Sequence, residues 1–331
     1  MTDPVRWGIL GAAKFALGQM APAIHAARGA EFAALATSSA DKAAPFQAFA
    51  PGIAVYQDYD ALLADDSIDA VYIPLPNHLH VEWATKALRA GKHVLCEKPI
   101  ALAAPEIDDL IALRDKAGLI AAEAYMIVHH PQWQRAKALY DEGAIGKLMF
   151  VDGVFGYDNR ADTGNIRNRP ETGGGGIPDI GVYTYGATRW LTGAEPQRIA
   201  NANVVWENGV DVFAHVTAEF QGFRASFVNS MRMAPAQDMT FYGDEGAIRL
   251  TAPFNPMVFG EARVELHSNV HGAGTGSAVT TERFPAANHY VLQVENFCRS
   301  VRDGAAYPWT LENARGTQAM IDMVFTAANP A

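Results

Sequence analysis

The sequence predicts an α/β protein: an N-terminal doubly wound parallel sheet followed by an α+β domain with a large, mostly antiparallel sheet. Three observations carry this. Up to about residue 124, short apolar runs alternate with segments of helical period, the pattern of βαβ units. After Tyr125 the runs lengthen, alternate, and are separated by turns such as Asn208-Gly209 and Gln221-Gly222, which imply antiparallel neighbours. The length, 331 residues, fits about two domains. The expected boundaries are 1–124 for the first domain and 125–331 for the second.

The elements follow in order. Val5 to Leu10 reads as a strand, Lys14 to Arg28 as a helix closed by Gly29, and Phe32 to Ala36 as a second strand. Helical segments follow at Ala40 to Ala50 and Tyr59 to Ala64, then a strand at Ala70 to Pro74 and a helix at His80 to Ala90 ended by Gly91. His93 to Cys96 is a strand. Pro105 to Ala117 is a helix, with Pro at its start and Gly118 after its end. Leu119 to Ala124 completes the first set. A helix at Pro131 to Glu142 precedes strands at Leu148 to Phe155, Ile199 to Trp206, Val212 to Phe220, Arg224 to Met231 and Met239 to Tyr242. A helix at Asp179 to Leu191 interrupts them, and two more, His289 to Arg302 and Leu311 to Ala328, end the chain. Gly173 to Gly176 and Gly272 to Gly276 read as mobile loops; neither precedes Lys-Ser/Thr, so neither is a P-loop.

Composition narrows the function. Lys and Arg number 26 against 36 Asp and Glu, giving a net charge of −10 with no basic run. Nucleic-acid binding, which needs clustered cations, is not expected. The two cysteines, Cys96 and Cys298, form neither a disulfide framework nor a zinc spacing, as in a reducing compartment. The N-terminus lacks signal-peptide features and no stretch of about 18 apolar residues occurs, so a cytoplasmic protein with no membrane partner is expected.

Five motifs carry chemistry. Gly8-Ile9-Leu10-Gly11-Ala12-Ala13-Lys14-Phe15-Ala16 joins the first strand to the first helix, where a pyrophosphate needs a tight turn and a helix N-terminus. Its small residues also fit simple packing. The end of the second strand, Thr37-Ser38-Ser39-Ala40-Asp41-Lys42, offers hydroxyls and a lysine and no carboxylate at its tip. That suits a 2′-phosphate and favours NADP, with NAD possible; alternatively Ser38 or Ser39 only caps the helix. Pro74-Leu75-Pro76-Asn77-His78-Leu79-His80 and Cys96-Glu97-Lys98-Pro99-Ile100 each follow a strand, at the edge where open parallel sheets bind ligands. His78 and His80 have no third ligand nearby, so no metal is expected. Lys98 near a nicotinamide would polarise a hydroxyl or carbonyl, or depress a neighbour's pKa; in isolation Glu97 and Lys98 also read as a solvated pair. Finally, Asn165-Ile166-Arg167 and Gly173 to Tyr183 place Asp179 and Tyr183 four residues apart, on one helix face. A tyrosine serves as acid/base when a cation such as Lys98 is close; the plain alternative is a core Tyr183 and an N-capping Asp179.

Together these segments resemble the Gfo/Idh/MocA oxidoreductase family over nearly the whole chain, on Gly8 to Ala16, Pro74 to His80, Gly91 to Pro99, Asn165 to Arg167 and Gly174 to Tyr183. The resemblance implies a Rossmann domain and a C-terminal α+β domain whose open sheet face often forms the dimer contact, hence a homo-oligomer. It implies an NAD(P)-dependent oxidoreductase moving a hydride between nicotinamide and a sugar or cyclic polyol. Lys98, Asp179 and Tyr183 match the family's catalytic positions, Tyr183 as acid/base in the tyrosine-type branch. Gly11, Ala12, Ala13, Lys14, Phe15, Ser38, Ser39, Lys42, Leu75, Pro76, Asn77, His80, Glu97, Lys98 and Arg167 are the expected residues that hold the cofactor or shape its pocket. Three departures stand out: Ala13 for a fingerprint glycine, Ile127-Val128 for an aromatic or basic pair, and Ser39 for an arginine of NADP-binding members. A non-catalytic sugar-responsive regulator and an NAD-dependent glycosidase are the alternative functions in the same superfamily.

Overall fold

The computed structural model describes residues 3–256, 258–270 and 276–328. Contacts divide the chain into two compact units, Met1–His129 with Asn288–Arg315, and His130–Ala287 with Gly316–Ala331. The sequence placed all of 125–331 in the second domain; by packing, 288–315 group with the first unit. The reason is apolar. Trp7 lies against Phe297 with ring centroids 5.0 Å apart, and Trp309 stacks on Tyr125 at 4.0 Å.

In the first unit the described residues form a six-stranded parallel sheet, ordered β3-β2-β1-β4-β5-β6. The strands are β1 (Val5–Leu10), β2 (Ala30–Ala36), β3 (Ala54–Tyr56), β4 (Ala70–Ile73), β5 (His93–Cys96) and β6 (Ala121–Glu123). The inner strands β1, β4 and β5 are buried on both faces, as parallel strands between helices must be, while the edge strand β3 is not. The helices are α1 (Ala21–Ala26), α2 (Ala40–Phe49), α3 (Tyr59–Leu63), α4 (His80–Arg89) and α5 (Ala104–Ala117). The expected first helix is present from Lys14 to Ala26, with its Ala16–Met20 stretch wound as a π-helical turn running into α1. Pro22 has no N–H to give, and the turn before it widens so that Ala21 N–H reaches Ala16 O. The sequence pattern missed β3, which has only three residues.

The second unit holds α6 (Pro131–Asp141), α7 (Val182–Thr192) and an eight-stranded sheet of order β14-β13-β12-β11-β7-β10-β9-β8. The central strand is β7 (Leu148–Asp158). It pairs in parallel with β10 (Phe223–Ser230); the other pairings are antiparallel. The strands β8 (Pro196–Glu207), β9 (Val210–Phe220) and β10 form a meander. Asn208 and Gly209, both with positive φ (51° and 81°), make its first turn. On the other side lie β11 (Arg232–Gly243), β12 (Gly246–Leu250), β13 (Arg263–Val270) and β14 (Gly276–Arg283). The last three were not expected; β14 in particular is mostly polar, with Ala278 and Val279 adjacent and no apolar alternation to read. Trp133 of α6 anchors the helices to the sheet, with Trp190 and Phe241 each at 6.4 Å. The chain ends in α8 (His289–Asp303) and α9 (Leu311–Ala328). Residues 272–275 of the second expected glycine loop lie outside the described residues.

Candidate active site

In the first unit the expected cofactor residues gather at the carboxyl edge of the parallel sheet. The strand order turns at β1 and β4, and an open parallel sheet binds ligands at that switch point. Gly11 leaves β1 with φ +104°, a conformation that side chains disfavour. A Cβ there would stand 2.8 Å from a Leu75 methyl. The turn is therefore closed to anything but glycine. Ala12 and Ala13 are half-buried, Lys14 and Phe15 exposed. Phe15 meets the ring of Tyr290 edge-on at 5.7 Å.

At the tip of β2, Ser39 caps α2 by accepting from Lys42 N–H at 3.3 Å, and Ser39 N–H donates to Thr37 Oγ1. The capping alternative thus holds for Ser39, while Ser38 and Lys42 are exposed beside it. This donor set, a helix N-terminus with a hydroxyl and an ammonium, fits an anionic phosphate.

Past β4 and β5 the two expected loops are tied together. His80 is fully buried. Its Nδ1 lies 2.7 Å from the Pro99 carbonyl and its Nε2 2.7 Å from the Leu75 carbonyl. Both nitrogens are committed to backbone carbonyls, which ties the Leu75 and Pro99 segments to each other. Glu97 Oε1 accepts from the Tyr72 hydroxyl at 2.5 Å, and that contact, burial foremost, raises the Tyr72 phenol. Lys98 and Asn77 are half-buried on the same edge.

The sequence missed Glu123. It ends β6, fully buried, accepting from Ile100 N–H and from Trp309 Nε1 at 3.0 Å each. Burial pushes its carboxyl up to about 7, against the pull of those donors and of Lys98. A lone buried acid after a short strand was its only sequence signal.

In the second unit Asp179 is the hub. Arg167 Nε lies 2.8 Å from Asp179 Oδ1, and the Tyr157 hydroxyl donates to Oδ2 at 2.6 Å. Asp179 raises the Arg167 guanidinium, while burial and then Asp179 raise the Tyr157 phenol. Arg167, expected at the cofactor, is here the partner of Asp179. Asp179 sits on a π-helical turn, Ile177–Gly181, with Tyr183 at the start of α7. The wider turn alters the simple four-residue face, and the Asp179 carboxylate goes to Tyr157 and Arg167. The Tyr183 ring lies on Phe155 and Phe254, at 5.6 and 5.7 Å, and is 6% exposed.

The Gly173–Gly176 stretch, expected as a mobile loop, is a turn packed around Asp211 of β9. Gly175 has φ +130°, and a Cβ there would come within 2.2 Å of Asp211 Oδ1. Asp211 Oδ2 accepts from Ile177 N–H at 2.6 Å. Asp211 is buried, and burial lifts its carboxyl to about 7. It holds the start of the turn that carries Asp179, and no local motif marks it.

Among the described residues no helix is long and apolar enough to cross a membrane. Cys96 and Cys298 are free and buried.

An uncharacterised oxidoreductase of Rhizobium meliloti is 39% identical over 98% of this chain and 97% of its own length. A D-xylose 1-dehydrogenase (NADP(+)) of Haloferax volcanii is 33% identical, covering 97% of each. A 3-ketoreductase from Actinomadura kijaniata, crystallised with NADP and TDP-benzene, superposes with a TM-score of 0.88 at 31% identity, covering 98% of both chains. Residues 5–125 match the model of an oxidoreductase family with an NAD-binding Rossmann fold, and residues 133–249 match the GFO/IDH/MocA C-terminal domain. On these matches and on the sheet edge described above, the chain belongs to the Gfo/Idh/MocA family of oxidoreductases.

Proposed function

We propose that this chain is an NADP-preferring oxidoreductase acting on a hydroxyl or carbonyl of a sugar, sugar derivative or cyclic polyol. The observation that carries the reading is the gathering of the Gly11 turn, the Leu75–Asn77 loop and Lys98 on one carboxyl sheet edge. The relatives support the cofactor and the substrate class: one is named an NADP(+)-dependent xylose dehydrogenase, another is a ketoreductase crystallised with NADP. When bound, NADP supplies the hydride donor or acceptor.

The protein's own residues would do the rest. Gly11 lets backbone approach the pyrophosphate, and Ser38, Ser39 and Lys42 take the 2′-phosphate. Tyr183 gives or takes the substrate's proton at its hydroxyl, with Lys98 as the cation that favours the phenolate. Asp179, fixed by Tyr157 and Arg167, orients a substrate hydroxyl. In the same ketoreductase, a tyrosine-to-phenylalanine variant has been crystallised, the substitution that tests such a role.

The test is turnover of purified protein with NADP or NAD and a panel of pentoses, hexoses and inositol, and with NADPH or NADH and a nucleotide-linked keto sugar. Turnover of one panel member, faster with the phosphorylated cofactor, is expected. No turnover in either direction, with dinucleotide bound, would overturn the reading.

A further inference from the structure

The Pro99–Ile100 peptide, just after Lys98, is held at both of its polar ends by buried ionisable side chains. Its carbonyl faces His80 Nδ1 at 2.7 Å, and its N–H donates to Glu123 Oε1 at 3.0 Å. Both side chains are buried.

The hydrogen-bond inventory decides the state of the ring. A neutral imidazole has one N–H and one lone pair; only the imidazolium donates from both nitrogens. His80 meets a carbonyl oxygen on each side, and carbonyls only accept. A neutral ring would aim a lone pair at an oxygen 2.7 Å away. That separation is instead the length of a charge-assisted bond. Burial, Lys98 and His78 oppose the charge, while the two carbonyls favour it. The remaining requirement is a nearby anion, and Glu123 stands at the far end of the same peptide. Burial raises its carboxyl, but both of its oxygens accept from N–H donors, and a charged His80 favours the ionised form further. A buried charge is costly alone and tolerated when compensated. The peptide dipole runs the right way, oxygen toward His80 and N–H toward Glu123. Trp309 Nε1 satisfies the second carboxylate oxygen.

We propose that His80 is an imidazolium and Glu123 a carboxylate, and that the pair clamps the Pro99–Ile100 peptide and so positions Lys98. Both are positioning residues, and their role rests on the catalytic reading of Lys98. The charged and titratable groups facing the pair are Lys98 and His78 at the ring, and Lys98, Glu97 and the Cys96 thiol at the carboxylate.

The test is ¹⁵N NMR of the histidine-labelled full chain from about pH 6 to about pH 8, the span in which a free imidazole loses its charge. One histidine is expected to keep both ring nitrogens protonated throughout, and that signal is absent from His80→Gln. In Glu123→Gln the same ring loses its second proton within the span, and kcat falls about tenfold or more while the KM for NADP stays within about twofold. A wild-type His80 with one unprotonated nitrogen at neutral pH overturns the proposal. So does a Glu123→Gln protein in which neither the ring's charge nor kcat changes. The spectra require no turnover, so they decide the clamp even where the proposed activity fails.

Discussion

The Tyr157 hydroxyl donates to Asp179 Oδ2 at 2.6 Å, across from β7 to the turn that starts α7. With Arg167 on the other oxygen at 2.8 Å, the carboxylate is held from both sides. Asp179 is thereby oriented before any substrate arrives. Tyr157→Phe keeps the ring and removes one charge-assisted bond. It should lower kcat/KM for the substrate by about tenfold, with dinucleotide affinity unchanged. Steady-state kinetics with substrate and cofactor varied separately make the check.

Gly11→Ala forces a side chain into φ +104° and onto Leu75. The backbone penalty alone is about 1–2 kcal/mol, and relief must come from shifting the turn. Dinucleotide affinity should drop by about tenfold or more, read by quenching of protein fluorescence, while far-UV circular dichroism stays native. Unchanged affinity would show that the turn does not approach the cofactor.

Lys42 is exposed at the first turn of α2, beside the Ser39 cap. Lys42→Ala should raise the KM for NADP by about tenfold, the worth of one charge-assisted phosphate contact. The KM for NAD should stay the same. Equal effects on both cofactors would remove Lys42 from the 2′-phosphate.

Asp211 gives a stability signature. Burial first, and then the Asp179 charge, lift its carboxyl from 3.8 to about 7. Between those values the folded chain holds a proton that the unfolded chain releases. The contribution of this group to stability is therefore full below about pH 4 and declines as pH rises toward 7, by at most about 1.4 kcal/mol per pH unit. Asp211→Asn should flatten that decline in denaturant titrations run across the range. A slope equal to wild type would contradict it.

Much of the fold was legible because its elements are strongly patterned. The strand at His93–Cys96 and the helix from Leu311 to Ala328 were read to the residue, bounded by glycine, proline or polar caps. Edge strands such as β14 were not, because strands with two polar faces carry no period-two signal. The start of α7 was read as regular helix, and the π-turn there depends on Asp211, which lies 34 residues ahead of Ile177. The candidate site divides in the same way. Residues in local motifs, Gly11, Lys98, Asp179 and Tyr183, were visible in sequence. Glu123, Tyr157 and Asp211 were not, since each acts on a segment distant in the chain, as with Glu123 and Trp309. His80 was visible, but its two backbone acceptors were not.

The central claim is that Tyr183 moves the substrate proton while cofactor binding is handled elsewhere. The most direct measurement is single-turnover hydride transfer by Tyr183→Phe, started with saturating cofactor. The account predicts a transfer rate lower by at least about a hundredfold, with the dissociation constant for NADP within about twofold of wild type. A variant that transfers hydride at the wild-type rate would contradict it and leave Tyr183 a packing residue on Phe155 and Phe254.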